Sequence, residues 1–114
     1  MMLPHPTVEQ FSLHTVLSAL GDPTRLAIVG DLARREGTAL SCSHFSGLGS
    51  KSNLSYHIAK MREAGIIRVE PCGTARLVTL RRADLDSRFP GLLDSIISTA
   101  VSMPPPEKRL APVD

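Results

Sequence analysis

The chain has no tryptophan, one tyrosine (Tyr56) and three phenylalanines, only 4% aromatic residues. A protein that stacks single-stranded bases needs exposed rings, so this composition argues against that class, and the core has to be built from Leu, Ile, Val and Ala. Cysteine is nearly as scarce. Cys42 and Cys72 are too few for a disulfide framework and are expected to stay reduced. No run approaches the ~18 apolar residues of a membrane span, and the N-terminus has no charged-then-apolar leader, so a cytoplasmic protein without a membrane partner is expected. Signs of catalysis are absent too. GLGSKS (47–52) is short of P-loop spacing and lacks its Gly-Lys-Ser/Thr ending. Asp84 and Asp86 suit a helix start better than an acid/base pair, and Ser and His fall in no nucleophile arrangement. Neither an enzyme nor a cofactor is expected.

What the sequence does have is an uneven distribution of charge. Between Lys51 and Arg82 lie seven cations (Lys51, Lys60, Arg62, Arg68, Arg76, Arg81 and Arg82) against two acids, Glu63 and Glu70, a local net charge of +5. The whole chain carries +2, so the remainder sums to −3. Phosphate binding needs a clustered field of this kind rather than a high overall pI.

At 114 residues the chain is expected to form one domain, over 7–103, between a loose tail at 1–6 and a proline-rich, disordered end at 104–114. Thr7 caps a first helix on which Val8, Phe11, Val16, Leu17 and Leu20 recur, and Gly21 ends it. Asp22 and Pro23 start a second helix as N-cap and first helical residue. Leu26, Ala27, Val29 or Ile28, and Leu32 form its buried stripe, Arg34 and Arg35 occupy its last turn, and Gly37 closes it. SCSHFSGL (41–48) reads as the short first helix of a helix-turn-helix, with Gly49-Ser50 as the turn.

Ser50 then caps a helix that runs to Ala64 and stops at Gly65. Leu54, Ile58 and Met61 share its inward face; Lys51, Ser52, Asn53, Tyr56 and Lys60 point outward, with Ser55 and His57 on the flanks. Small and hydrogen-bonding residues at its exposed N-terminal end suit base edges in a major groove. Ile66 to Leu80 reads as a two-stranded hairpin turning at Pro71-Cys72-Gly73-Thr74, a wing that puts Arg68 and Arg76 on opposite strands. Asp84 can cap a short helix over ADLDSRF. Leu92, Leu93, Ile96, Ile97, Ala100 and Val101 form a final helix whose apolar stripe is wider than packing on one side requires.

LSALGDPTRLAIVGDL, SKSNLSYHIAKMREAGIIR and RRADLDSRFPGLLDSI, in that order, resemble the ArsR-type winged helix-turn-helix transcriptional regulators of bacteria. The resemblance covers roughly residues 10–101. It implies a mainly α fold of about five helices plus a two-stranded β-wing, and a homodimer held by the first and last helices. It also implies a repressor on a palindromic double-stranded operator, released by an effector. The reading helix falls on Ser50–Ala64 and the wing on Ile66–Leu80. Metal-sensing members often carry C-x-C before the reading helix, where this chain has only Cys42 and His44; others bind zinc between the two last helices through Asp and His, and this last helix has Asp94 but no His. The effector is therefore not specified.

The expected DNA-contacting set is Lys51, Ser52, Asn53, Ser55, Tyr56, His57, Lys60, Arg68 and Arg76. Asn53 can pair with adenine, Lys51 and Lys60 with phosphates, and Tyr56 with a thymine methyl or a phosphate. His57 borders the buried face and suits a structural or phosphate-contacting role, not metal ligation. Cys42 and Cys72 are candidate redox residues. Arg68 and Arg76 near Cys72, and a helix N-terminus at Cys42, favour the thiolate, although inert thiols are the simpler account. Cys42 with His44 and His14 is a metal alternative short of the four ligands of a structural zinc, so no metal site is assigned. A winged helix used as a protein-interaction module is the alternative from a different class.

Overall fold

Asp22 accepts a hydrogen bond from the Arg25 backbone N–H at 3.0 Å, and Pro23 follows at the first helical position, so α2 (Pro23–Arg34) starts where local chemistry sets it. A computed structural model describes residues 3–36 and 38–102. In it α2 follows α1 (Leu13–Leu20) and leads to a short strand, β1 (Leu40–Ser41), and a 3-10 segment, Cys42–Leu48. Next come α3 (Lys51–Ala64), the hairpin β2 (Ile67–Cys72) and β3 (Ala75–Leu80), then α4 (Arg82–Arg88) and α5 (Leu92–Ala100). Gly37, residues 1–2 and residues 103–114 lie outside the described residues, as do the expectations that rested on them.

The single helix expected from Thr7 to Leu20 is two pieces. Thr7 closes a capping box with Gln10 around a 3-10 turn, Val8–Gln10, and Phe11 then takes extended backbone before α1 begins. The reason lies in spacing. The five-residue step from Phe11 to Val16 would turn about 140° around one helix, so both could not face the core without a break. With the break, Phe11 and Val16 are both buried. The short helix expected at 41–48 is 3-10 rather than α, over Cys42–Leu48, with Phe45 and Leu48 as its buried anchors.

Capping sets both ends of α3. Ser50 Oγ accepts from the Asn53 N–H at 3.1 Å, and Gly65 takes a left-handed φ of +90° as the Ile66 N–H returns to the Met61 carbonyl. Leu54, Ile58 and Met61 are buried as expected.

The wing has a third strand. The order is β1-β3-β2, all antiparallel, with Leu40 opposite Val78 and Ile67 opposite Leu80. A two-residue strand with only Leu40 buried is too short for a period-2 signal. Asp84 is not the cap of α4: Arg81 holds that position, and Asp84, in the first turn, accepts from Arg81 Nε at 2.9 Å. α5 packs on α2 closely enough that a Cβ on Gly30 would sit 2.9 Å from the Ala100 carbonyl oxygen. Its buried side is Leu93, Ile97 and Ala100, while Leu92, Ile96 and Val101 are only half-buried.

Residues 3–6, expected to be loose, lie along the outer strand of the sheet. The Val69 N–H donates to His5 Nε2 at 3.0 Å, Arg81 Nη1 donates to the Pro6 carbonyl at 2.8 Å, and Arg62 Nη1 donates to the Pro4 carbonyl. A strand edge with free N–H groups needs such a cover.

Candidate nucleic-acid interface

α3 presents Lys51, Ser52, Asn53, Ser55, Tyr56 and Lys60 to solvent along one side. Tyr56 is 55% exposed, unusual for a large ring, and Lys60 Nζ lies 5.6 Å from its centroid. That (i, i+4) contact holds ring and ammonium together on the outer face.

The helix is anchored from behind by a clamp that the sequence did not announce. Arg25 Nη1 donates to His57 Nδ1 at 3.0 Å, and Arg25 Nε donates to the Ala19 carbonyl at 2.5 Å. Asp22 Oδ2 sits 3.8 Å from His57 Nδ1. His57 is 7% exposed, so it leaves the expected DNA-contacting face and joins the reading helix to the α1–α2 corner. A second tie fixes the preceding segment: His44 Nε2 donates to Asp31 Oδ2 at 2.5 Å, and Asp31, buried at the C-terminal end of α2, also faces Arg34 and Arg35. The partners stand 32 and 13 residues apart, beyond any local sequence signal.

Ion pairing then sorts the cations. Among the described residues, Arg34, Arg35, Arg62, Arg68, Arg81 and Arg82 each have a carboxylate within ion-pair distance. Arg82 bridges Glu36 at 2.5 Å and Asp94 at 2.6 Å, which holds its guanidinium above the ordinary arginine range. Arg25 is taken up in the clamp, and Arg88 lies over the Phe89 ring. Among the described residues Lys51, Lys60 and Arg76 have no carboxylate partner, and all three are exposed on α3 or the wing. Arg68 separates from Arg76 here. It faces Asp84 at 3.9 Å near the base of the hairpin, whereas Arg76 pairs across from Pro71 near the tip.

The two thiols also differ. Cys72 is exposed at the end of β2. Cys42 is half-buried, and burial pushes its thiol above the usual range although Arg76 pulls the other way, so the expected activation by a helix N-terminus is overturned there. His44 is turned to Asp31 and His14 bonds Ser12 Oγ at 2.8 Å; with Cys42 they form no cluster. Among the described residues no three His, Cys, Asp or Glu side chains come together as a metal site.

A buried clamp behind an exposed helix, followed by a three-stranded wing with an unpaired arginine near its tip, defines a winged helix-turn-helix reader. Comparison with known proteins agrees. A helix-turn-helix domain family model matches residues 20–70. The chain is similar to the uncharacterized HTH-type transcriptional regulator YceK of Bacillus subtilis (strain 168), 33% identical over 86 residues that cover 71% of this chain and 82% of YceK. Its fold is similar to the crystal structure of an ArsR family transcriptional regulator, with a TM-score of 0.60 and 24% identity, covering 73% of this chain and 90% of that one. The chain belongs to the helix-turn-helix transcriptional regulators and has the ArsR-type winged fold. Among the described residues no helix is long and apolar enough to cross a membrane.

Proposed function

We propose that the protein is a homodimeric repressor that reads a palindromic double-stranded operator. Each subunit lays the N-terminal half of α3 in a major groove. Lys51, Lys60 and Arg76 hold phosphates, Asn53 reads a base edge with Ser52 and Ser55 beside it, and Tyr56 packs on a thymine methyl or donates to a phosphate. The two reading helices enter successive grooves roughly 34 Å apart. The observation that carries this reading is the sorting of charge: among the described residues most cations elsewhere are ion-paired or taken up in the clamp, Arg88 over the Phe89 ring apart, while Lys51, Lys60 and Arg76 on the reader face have no carboxylate partner. A paired cation would have to give up its carboxylate to reach phosphate; these three need no such exchange.

Repression is steric, and release follows when an effector binds the DNA-free form better than the DNA-bound form. Of the two thiols, Cys72 is the one exposed enough for a thiol-modifying signal to reach. Selection of bound duplex from a random pool tests the reading directly. The expected result is an enriched inverted repeat whose binding falls steeply with salt; no retention of any duplex at low ionic strength would overturn it.

A further inference from the structure

Between α3, the 42–48 segment and the wing lies an open cavity of about 880 Å3, within the range of about 300–1,000 Å3 usual for small-molecule sites. Its floor is partly apolar: Leu3 of the N-terminal strap and Ala59 of α3 are half-buried and Ala75 of β3 is exposed, while Leu54, Ile58 and Val69 beneath them are buried in the core. Lys51, Arg62 and Arg76 stand around it, and no acidic residue lines it. Arg62 is engaged with the strap at Pro4, whereas Lys51 and Arg76 have no carboxylate partner among the described residues.

We infer that this cavity binds a small amphipathic organic anion, an acid group joined to an apolar tail or ring, which releases DNA by occupying the cations that would hold phosphates. The charge selects the acid, since a cationic head would meet two unpaired cations and no carboxylate. The apolar floor selects the body. A DNA backbone brings phosphates but nothing apolar to cover Leu3, Ala59 and Ala75, so duplex and ligand compete for the rim while only the ligand uses the apolar lining. The inference names the effector class for the reader proposed above, and its competition step rests on that reading.

The two thiols supply a readout that needs no DNA. Cys42 lines the cavity, and Cys72, exposed and outside it, is an internal control. The full chain is alkylated with iodoacetamide at mildly alkaline pH, with decanoate, decanol or decylamine as probes, and each cysteine is followed by mass spectrometry. Decanoate is expected to slow Cys42 labelling about tenfold at about ten times its dissociation constant, by mass action, and to leave Cys72 unchanged. Ala59→Phe, which fills one wall, is expected to abolish that protection. In a parallel gel shift decanoate should release bound duplex over the same concentration range. Absence of Cys42 protection, or equal protection by decanol or decylamine, would overturn the site. Protection without release of DNA would overturn the competition. A chain that never binds duplex but is still protected by decanoate would sink the DNA reading and leave the ligand class standing.

Discussion

Gly65 meets two requirements at once. Its φ of +90° is one that side chains rarely adopt, and a Cβ there would lie 2.2 Å from Phe11 Cε1, in severe clash with the ring. Phe11 is itself fixed, buried with the Arg81 guanidinium 4.9 Å from its centroid. Gly65→Ala is therefore expected to lose more than about 2 kcal/mol in denaturant unfolding, left-handed strain plus overpacking. Gly73, at φ +61° in the wing turn with nothing within 4 Å, separates the two terms, and Gly73→Ala is expected to cost only about 1 kcal/mol. His5 is the residue with a pH signature. Burial, then the charges of Arg68, Arg62 and Arg81, push its imidazole below the ordinary 6.5, and the neutral ring accepts the Val69 N–H. A depressed value means that the folded state resists the proton. The stability is thus fully present above about 6.5 and is lost as pH falls through the folded value. His5→Ala is expected to cost about 1 kcal/mol at neutral pH or above, a gap that shrinks on acidification. A gap independent of pH would show that the imidazole does not hold the strap.

In the proposed reader, phosphate contacts and the base contact fall to different residues. Lys51→Ala, Lys60→Ala and Arg76→Ala are each expected to weaken binding to operator and random duplex alike, and to lower the salt slope by about 0.9. Asn53→Ala should instead narrow the ratio between operator and random DNA, because a base contact is lost while the phosphate contacts remain. The Ser50 cap survives that change, since it receives the Asn53 backbone N–H. Arg68→Ala provides the contrast. With Asp84 already beside it, Arg68 should affect affinity and salt slope far less than Arg76. Equal effects from the two arginines in fluorescence-anisotropy titrations would remove the pairing argument.

For the whole molecule, the unpaired feature is apolar. Leu13 and Leu17, one turn apart on α1, are 48% and 47% exposed, and Leu92 and Ile96 on α5 are only half-covered. Within the chain α1 packs on α2 and α3, and α5 on α2 and α4, so these outer faces stay uncovered, and the proposed homodimer would join there. The double variant Leu13→Glu, Leu17→Glu should keep its helical circular dichroism, since both side chains face solvent, and sediment as a monomer. Operator affinity should fall roughly 100-fold or more, because two linked half-sites become independent events. A dimer that survives both charges would place the interface elsewhere.

Legibility followed the range of each interaction. Asp22-Pro23, Ser50 and Gly65 act within a single turn, so the start of α2 and both ends of the reading helix stand in the sequence itself. The hairpin from Ile67 to Leu80 is also local, its strands joined by two residues. The Arg25–His57 clamp and strand β1 are different, for each depends on where a distant segment comes to rest. The same holds for the pairing of the cations. Sequence placed seven of them in one stretch, but only the packed molecule decided that Asp84 faces Arg68 and Arg81, that Glu36 and Asp94 face Arg82, and that Lys51, Lys60 and Arg76 have no carboxylate partner among the described residues. Helix caps are set by a residue's immediate neighbours; the choice of ion-pair partner is set by the tertiary fold, which brings together charges far apart in the chain.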